Sequence, residues 1–273
     1  MNLFEYANSR QKVTDFKLKV IGSGSSGNCT YIEHGDDKIL VDAGISRTRI
    51  KKALEEIGVS LDEITAIFIT HAHSDHIQHL PMLLKYNDFK VVATKDTFKC
   101  NNFPRHAVKV FQAVEFDSNV KMNSLVVKTR KSSHDIRGSV VYFFNNGQKQ
   151  LGVVTDLGQV TRKIGDEINN SDILMLETNY DPQMLKNGRY PFHLKKRINS
   201  AYGHLSNFDA LKTLQIIQPK KMHTVLCSHL SKDNNHIDLA LDTLQRGLKP
   251  DRNLQKINIC PTFRDKPTDI FIA

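Results

Sequence analysis

The 273-residue chain predicts an α/β fold built from layers of sheet and helix. Two observations carry that prediction. Short apolar runs of strand length alternate with segments of helical period through the first half of the chain. Those runs also end repeatedly in histidine or aspartate, as expected of strands buried on both faces that deliver polar side chains at one sheet edge. With 40% hydrophobic residues there is apolar material for a sizeable core.

Lys17 to Ile21 alternates and reads as a strand. It runs into Gly22–Asn28, rich in glycine and serine, a composition that exposes backbone N–H groups and suggests a phosphate cradle. The next element, Cys29 to Glu33, is a strand and not a helix, so the P-loop and dinucleotide patterns fail and a tight hairpin is expected. Lys38 to Val41 is a further strand, closed by Asp42-Ala-Gly44. Ser46 caps a helix on which Ile50, Leu54 and Ile57 share one face, and Gly58 stops it.

Ala66 to Ile69 is a short apolar run that stops abruptly and delivers His71, His73, Asp75 and His76 within six positions. Imidazoles suit zinc, manganese or iron, and a carboxylate hardens the set. His71 and His73 can converge on one ion, while Asp75 and His76, on the loop and first turn of the next helix (about His76 to Lys85), can face a second. Val91 to Ala93 is the next strand, and Leu125 to Thr129 with Ser139 to Phe144 flank Ser132-Ser-His-Asp135. Gln150 to Thr155, Ile173 to Leu176 and Thr224 to Ser228 complete the apolar runs, ending in Asp156, Glu177 and His229.

Thr70-His-Ala-His-Ser-Asp-His76 resembles the signature of the metallo-β-lactamase superfamily. The resemblance implies an αβ/βα four-layer sandwich: two mixed sheets face to face, with helices outside and a site of two divalent ions at one edge. It implies His134 as the third histidine ligand, Asp156 as the bridging carboxylate and His229 as the last ligand. His71, His73, His134 and Asp156 then hold one ion, and Asp75, His76, Asp156 and His229 the other. Asp42 is expected to support a ligand rather than bind metal. His79, one turn after His76, and His34, His106, His193, His223 and His236 are expected to be structural or surface residues. Because the ligands spread from residue 71 to 229, residues 17–273 are expected to form one domain, preceded by an N-terminal extension of residues 1–16.

Several separated blocks further resemble the YycJ/WalJ-type branch of small bacterial metallo-hydrolases: Gly24-Ser-Ser-Gly-Asn28, Glu177-Thr-Asn-Tyr-Asp181, Gly203-His-Leu-Ser-Asn207 and Leu230-Ser-Lys-Asp-Asn-Asn235. That branch implies a 5′-to-3′ exonuclease on DNA, with RNA as a second substrate class, in which a metal-bridging hydroxide attacks phosphorus in line. The span between Asp156 and His229 is too short for the inserted domain of ribonuclease J-like nucleases. Asp75 and His204 are the expected catalytic residues, His204 as proton donor to the leaving 3′-oxygen or as a contact to the scissile phosphate. Arg189, Lys195, Lys196 and Arg197, with Lys186, form a basic cluster suited to a phosphate groove or a solvated helix face. Asn28, Ser206 and Asn234 are expected substrate contacts, Ser206 or Asn207 being alternatively a helix cap. A glyoxalase- or lactonase-like hydrolase of a small thioester or ester is the competing enzyme class. The tail from about Pro250 lies outside the resemblance.

Net charge is +9 with a pI near 9.3, which favours a polyanionic partner. Four dispersed cysteines suggest free thiols in a reducing interior. Residues 1–16 lack the apolar core of a signal peptide, and no run approaches ~20 apolar residues, so a cytoplasmic protein without a membrane span is expected. No stable protein partner is expected.

Overall fold

The structure is a computed structural model and describes residues 15–273. The N-terminal half forms β1 (Lys17–Gly22), β2 (Cys29–His34), β3 (Asp37–Val41), β4 (Ala66–Phe68), β5 (Lys90–Thr94) and β6 (Val110–Val114). The second half supplies β7 (Asn119–Lys121), β8 (Val126–Lys131), β9 (Val140–Asn145), β10 (Gln150–Val154), β11 (Ile173–Glu177), β12 (Thr224–Ser228) and β13 (Asn258–Pro261). A last strand, β14 (Phe271–Ile272), returns to β1. The two seven-stranded sheets run β14-β1-β2-β3-β4-β5-β6 and β13-β12-β11-β10-β9-β8-β7. Both are mixed: β1–β2–β3 pair antiparallel and β3 to β6 parallel, whereas β7 to β10 pair antiparallel and β10 to β13 parallel.

Side-chain alternation divides the core into three apolar layers. Leu18, Ile39, Phe68 and Val92 of the first sheet meet Val127, Tyr142, Val153 and Met175 of the second. Tyr31, Leu40, Ile67 and Val91 point outward beneath Ile50 and Leu54 of α1 (Arg47–Glu55). On the far side Phe143, Val154, Leu174 and Val225 pack under further helices. Three apolar interfaces make four layers, the sandwich that the resemblance implied.

The helix expected over residues 76–85 is two short ones, α2 (Ser74–Ile77) and α3 (Leu80–Leu84). Pro81 explains the break, since it lacks an N–H and its ring clashes with the carbonyl four residues earlier. The remaining helices are α4 (Lys95–Lys99), α5 (Arg162–Asn169), α6 (Pro182–Asn187), α7 (Phe192–Ile198), α8 (Asn207–Ile217) and α9 (Ile237–Leu248). Among the described residues no helix is long and apolar enough to cross a membrane.

Both ends of the described chain are tied into the sandwich. Phe16, placed by the sequence in an extension, is fully buried and its carbonyl accepts from Ala273 N; residues 1–14 of that expected extension lie outside the described residues. The tail after Pro250 contributes β13 to one sheet and β14 to the other, and its Phe263 carbonyl accepts from Ser23 N in the glycine-serine loop.

Candidate metal centre

The strand ends of β3, β4, β10, β11 and β12, with the β8–β9 connection, deliver their polar residues to one edge. Asp42, Asp156 and His229, each within two residues of the end of its strand, have φ of 64°, 58° and 56°. Left-handed backbone is uncommon for residues other than glycine and costs of the order of 1–3 kcal/mol each. Three such positions around one cluster show that the fold turns these side chains inward against local preference.

Four overlapping groups of donor atoms result, and two of them, linked by Asp156, hold the expected histidine ligands. His71 Nε2 lies 3.0 Å from His73 Nδ1, which lies 3.3 Å from His134 Nε2. In the second group Asp75 Oδ2 lies 3.3 Å from His76 Nε2 and 3.5 Å from His229 Nε2. Asp156 stands between them, with Oδ2 3.4 Å from His76 Nε2 and Oδ1 3.9 Å from His134 Nε2. Each group is tight enough to close on one cation. The buried Asp156 Oδ2 has no hydrogen-bond partner, and a bound cation would satisfy it. The residues present therefore fit a metal site.

The outer partners fix which ring nitrogen faces inward. His134 Nδ1 donates to the Gly203 carbonyl at 3.0 Å, leaving Nε2 toward His73. His76 Nδ1 is held 2.8 Å from Asp42 Oδ2, and Asp42 also accepts from Thr70 N and Thr70 Oγ1. Glu177, given no role by the sequence reading, is the largest omission. Its buried Oε1 lies 2.7 Å from His204 Nδ1 and 2.9 Å from His229 Nδ1, while Oε2 accepts from Leu157 N and Leu205 N. The sequence signals were its place at a strand end, shared with Asp42 and Asp156, and its place at the head of the Glu177-Thr-Asn-Tyr-Asp181 block. Asn179, next but one, donates to the His229 carbonyl at 2.7 Å.

Charge is distributed unevenly. Burial, reinforced by His76 and His134, pushes His71 well below the ordinary imidazole value, and burial with His134 nearby brings His73 to about 4. Both stay neutral at physiological pH, the form that ligates metal. Burial opposes protonation of His76 and His229 too, but Asp75, Asp42 and Asp156 raise the first well above normal, and Asp156, Asp75 and Glu177 bring the second to about 10. Burial works against ionised Asp75 and Glu177, yet their histidine neighbours hold both well below the usual carboxylate range. His204 loses to burial and gains more from Glu177 and Asp156, so its value is raised.

Asn28 reaches into the site from the hairpin loop: its Nδ2 lies 3.1 Å from both Asp75 Oδ2 and His76 Nε2, and its Oδ1 accepts from Gly24 N. The loop can sit so close because Gly44 has no side chain; a Cβ there would lie 1.7 Å from the Asp75 carbonyl oxygen.

The other expected substrate contacts lie outside the donor groups. Ser206 is buried and caps α8 in a capping box with Asp209. Asn234 is buried against Gly188. Arg197 pairs with Asp135, which pins α7 beside His134, and Lys195 Nζ donates to the Lys186 carbonyl at 2.8 Å. Arg189 and Lys196 are exposed. His79 belongs to none of the donor groups.

Residues 22–99 match the Metallo-beta-lactamase superfamily. The chain is 33% identical to the exodeoxyribonuclease YycJ of Bacillus anthracis over 238 residues, covering 85% of this chain and 89% of that one. The chain belongs to the metallo-β-lactamase superfamily. As a superfamily member it is a metal-dependent hydrolase, and the fold implies divalent cations at the edge described above. The exodeoxyribonuclease WalJ of Streptococcus pneumoniae is similar to the same extent, 32% identical over 85% of this chain and 88% of its own length. Among solved structures, the metallo-β-lactamase fold protein YhfI from Bacillus subtilis superposes with a TM-score of 0.69 over 95% of this chain and all of its own, at 16% identity. That likeness speaks for the fold alone.

Proposed function

We propose that the protein is a two-metal exodeoxyribonuclease that removes nucleotides from the 5′ end of DNA. The observation that carries this reading is the position of His204, whose Nδ1 lies 2.7 Å from Glu177 Oε1 and 3.8 Å from Asp156 Oδ1, carboxylates that favour its charged form. Hydrolysis of the terminal diester breaks the bond from phosphorus to the 3′-oxygen, and that oxygen leaves more readily with a proton. His204 supplies it, and Glu177 keeps the ring charged and oriented. Similarity to two exodeoxyribonucleases over most of the chain supports DNA as the substrate.

His71, His73, His134 and Asp156 would hold one cation, and Asp75, His76, Asp156 and His229 the other. Bound there, the pair would supply a water of lowered pKa and neutralise charge at the phosphoryl group. Asp42 and Glu177 keep His76 and His229 aimed at that centre. Asn28 presents its amide N–H beside Asp75, where a phosphoryl oxygen would accept it. Zinc and manganese both suit the imidazole–carboxylate set.

The test is digestion of 5′- and 3′-labelled single-stranded and duplex DNA with zinc and with manganese, with Asp75→Ala as control. Release of mononucleotides from the 5′ label by wild type alone is the expected result. Intact DNA with either metal, alongside cleavage of a thioester or lactone, would overturn the substrate while leaving the metal centre.

A further inference from the structure

Helices α6 and α7 border a cavity of about 650 Å³, walled by Tyr180, Leu185, Lys186, Phe192, Lys196 and Asn199. One end adjoins the metal centre through the chain itself. Tyr180 follows Asn179, whose amide holds the His229 carbonyl, and the Tyr180 hydroxyl donates to Asn199 at 2.7 Å. The last turn of α7 leads into the His204 turn, where His204 N donates to the Ile198 carbonyl. At the other end Phe192 opens α7 with 81% of its surface exposed. Lys186 of α6 and Lys196 of α7 are exposed and line the same cavity, and neither ammonium has an ion pair among the described residues.

A bare aromatic ring and two unpaired cations lining one cavity are the combination that holds unpaired nucleic acid: the ring stacks on a base and the cations take flanking phosphates. Inside a duplex each base is already stacked on both sides and offers the ring no free face. Resting on the nuclease reading, we propose that this cavity is a single-strand subsite. Phe192 stacks on an unpaired base, Lys186 and Lys196 hold its phosphates, and the strand passes from there to His204 and the metal centre.

The chain contains no tryptophan, so Phe192→Trp places one fluorophore at the subsite. The probe is a phosphorothioate-linked single-stranded oligothymidylate added to the metal-loaded variant. Its emission should be quenched along the same curve that anisotropy gives for binding, and a blunt duplex should not quench it. Phe192→Ala should bind the oligonucleotide roughly five- to 150-fold more weakly. Hydrolysis of bis(p-nitrophenyl) phosphate, too small to reach the subsite, should not change. Anisotropy that reports bound oligonucleotide without quenching, or equal quenching by duplex, overturns the subsite and leaves the nuclease reading in place. Wild type that binds no oligonucleotide and digests no DNA removes both.

Discussion

Asp42 Oδ2 lies 2.8 Å from His76 Nδ1, across a distance of 34 residues in sequence. The contact selects the tautomer of His76 whose Nε2 faces Asp75 and Asp156. Asp42→Asn keeps the shape but loses the charge that orders the ring. Metal affinity should fall about 10–100-fold at one of the two proposed sites. A competitive chelator titration resolves this; two unchanged affinities would show that Asp42 serves the fold and not the metal.

Glu177 stands behind both His204 and His229. On the proposed reading His204 protonates the leaving oxygen; Glu177→Gln removes the carboxylate that raises its pKa, so kcat on DNA should drop about 10²–10⁴-fold. A diester with a nitrophenolate leaving group needs no proton and should suffer much less. Equal losses on both substrates, at full metal content, would assign Glu177 to metal support alone.

Gly44 passes under the Asp75 carbonyl with no room for a methyl group. Gly44→Ala must push the hairpin loop away from α2, at a cost of about 1–3 kcal/mol in urea denaturation. Asn28 should move with the loop. A variant as stable as wild type would mean that this contact is looser than described.

Lys128 and Arg130 both pair with Glu167, which also accepts from Gln150 Nε2. Burial opposes its ionisation, but the two cations outweigh that and hold the carboxyl below its ordinary value. A depressed carboxyl stabilises the fold above its unfolded pKa and loses that contribution as pH falls through the folded one. Glu167→Gln should therefore cost about 1–3 kcal/mol at pH 7. The gap to wild type should narrow as pH falls below the usual carboxylate range. A gap independent of pH would point to packing instead.

The donor-bearing edge was legible because its strands are buried on both faces. Their apolar runs end sharply, so His71, Asp156 and His229 stand out at the boundaries. Glu177 did not, since its meaning comes from His204 and His229, brought back by a helix and a strand it does not contact in sequence. The break between α2 and α3 was written in Pro81 but overshadowed by the apolar residues around it. Strands β13 and β14 carry polar and exposed positions at sheet edges, so they lack the run that marks a central strand. Exposure of Phe192 is a property of the folded surface and has no counterpart in local sequence.

The left-handed backbone at Asp42, Asp156 and His229 has a consequence for laboratory evolution. Glycine adopts that conformation without penalty, so replacing any of these residues relaxes the chain locally while discarding a side chain of the metal centre. A screen that rewards thermal survival alone would be drawn to these three positions and would enrich robust, inert proteins. Selection for a more durable enzyme from this scaffold has to score turnover in every round.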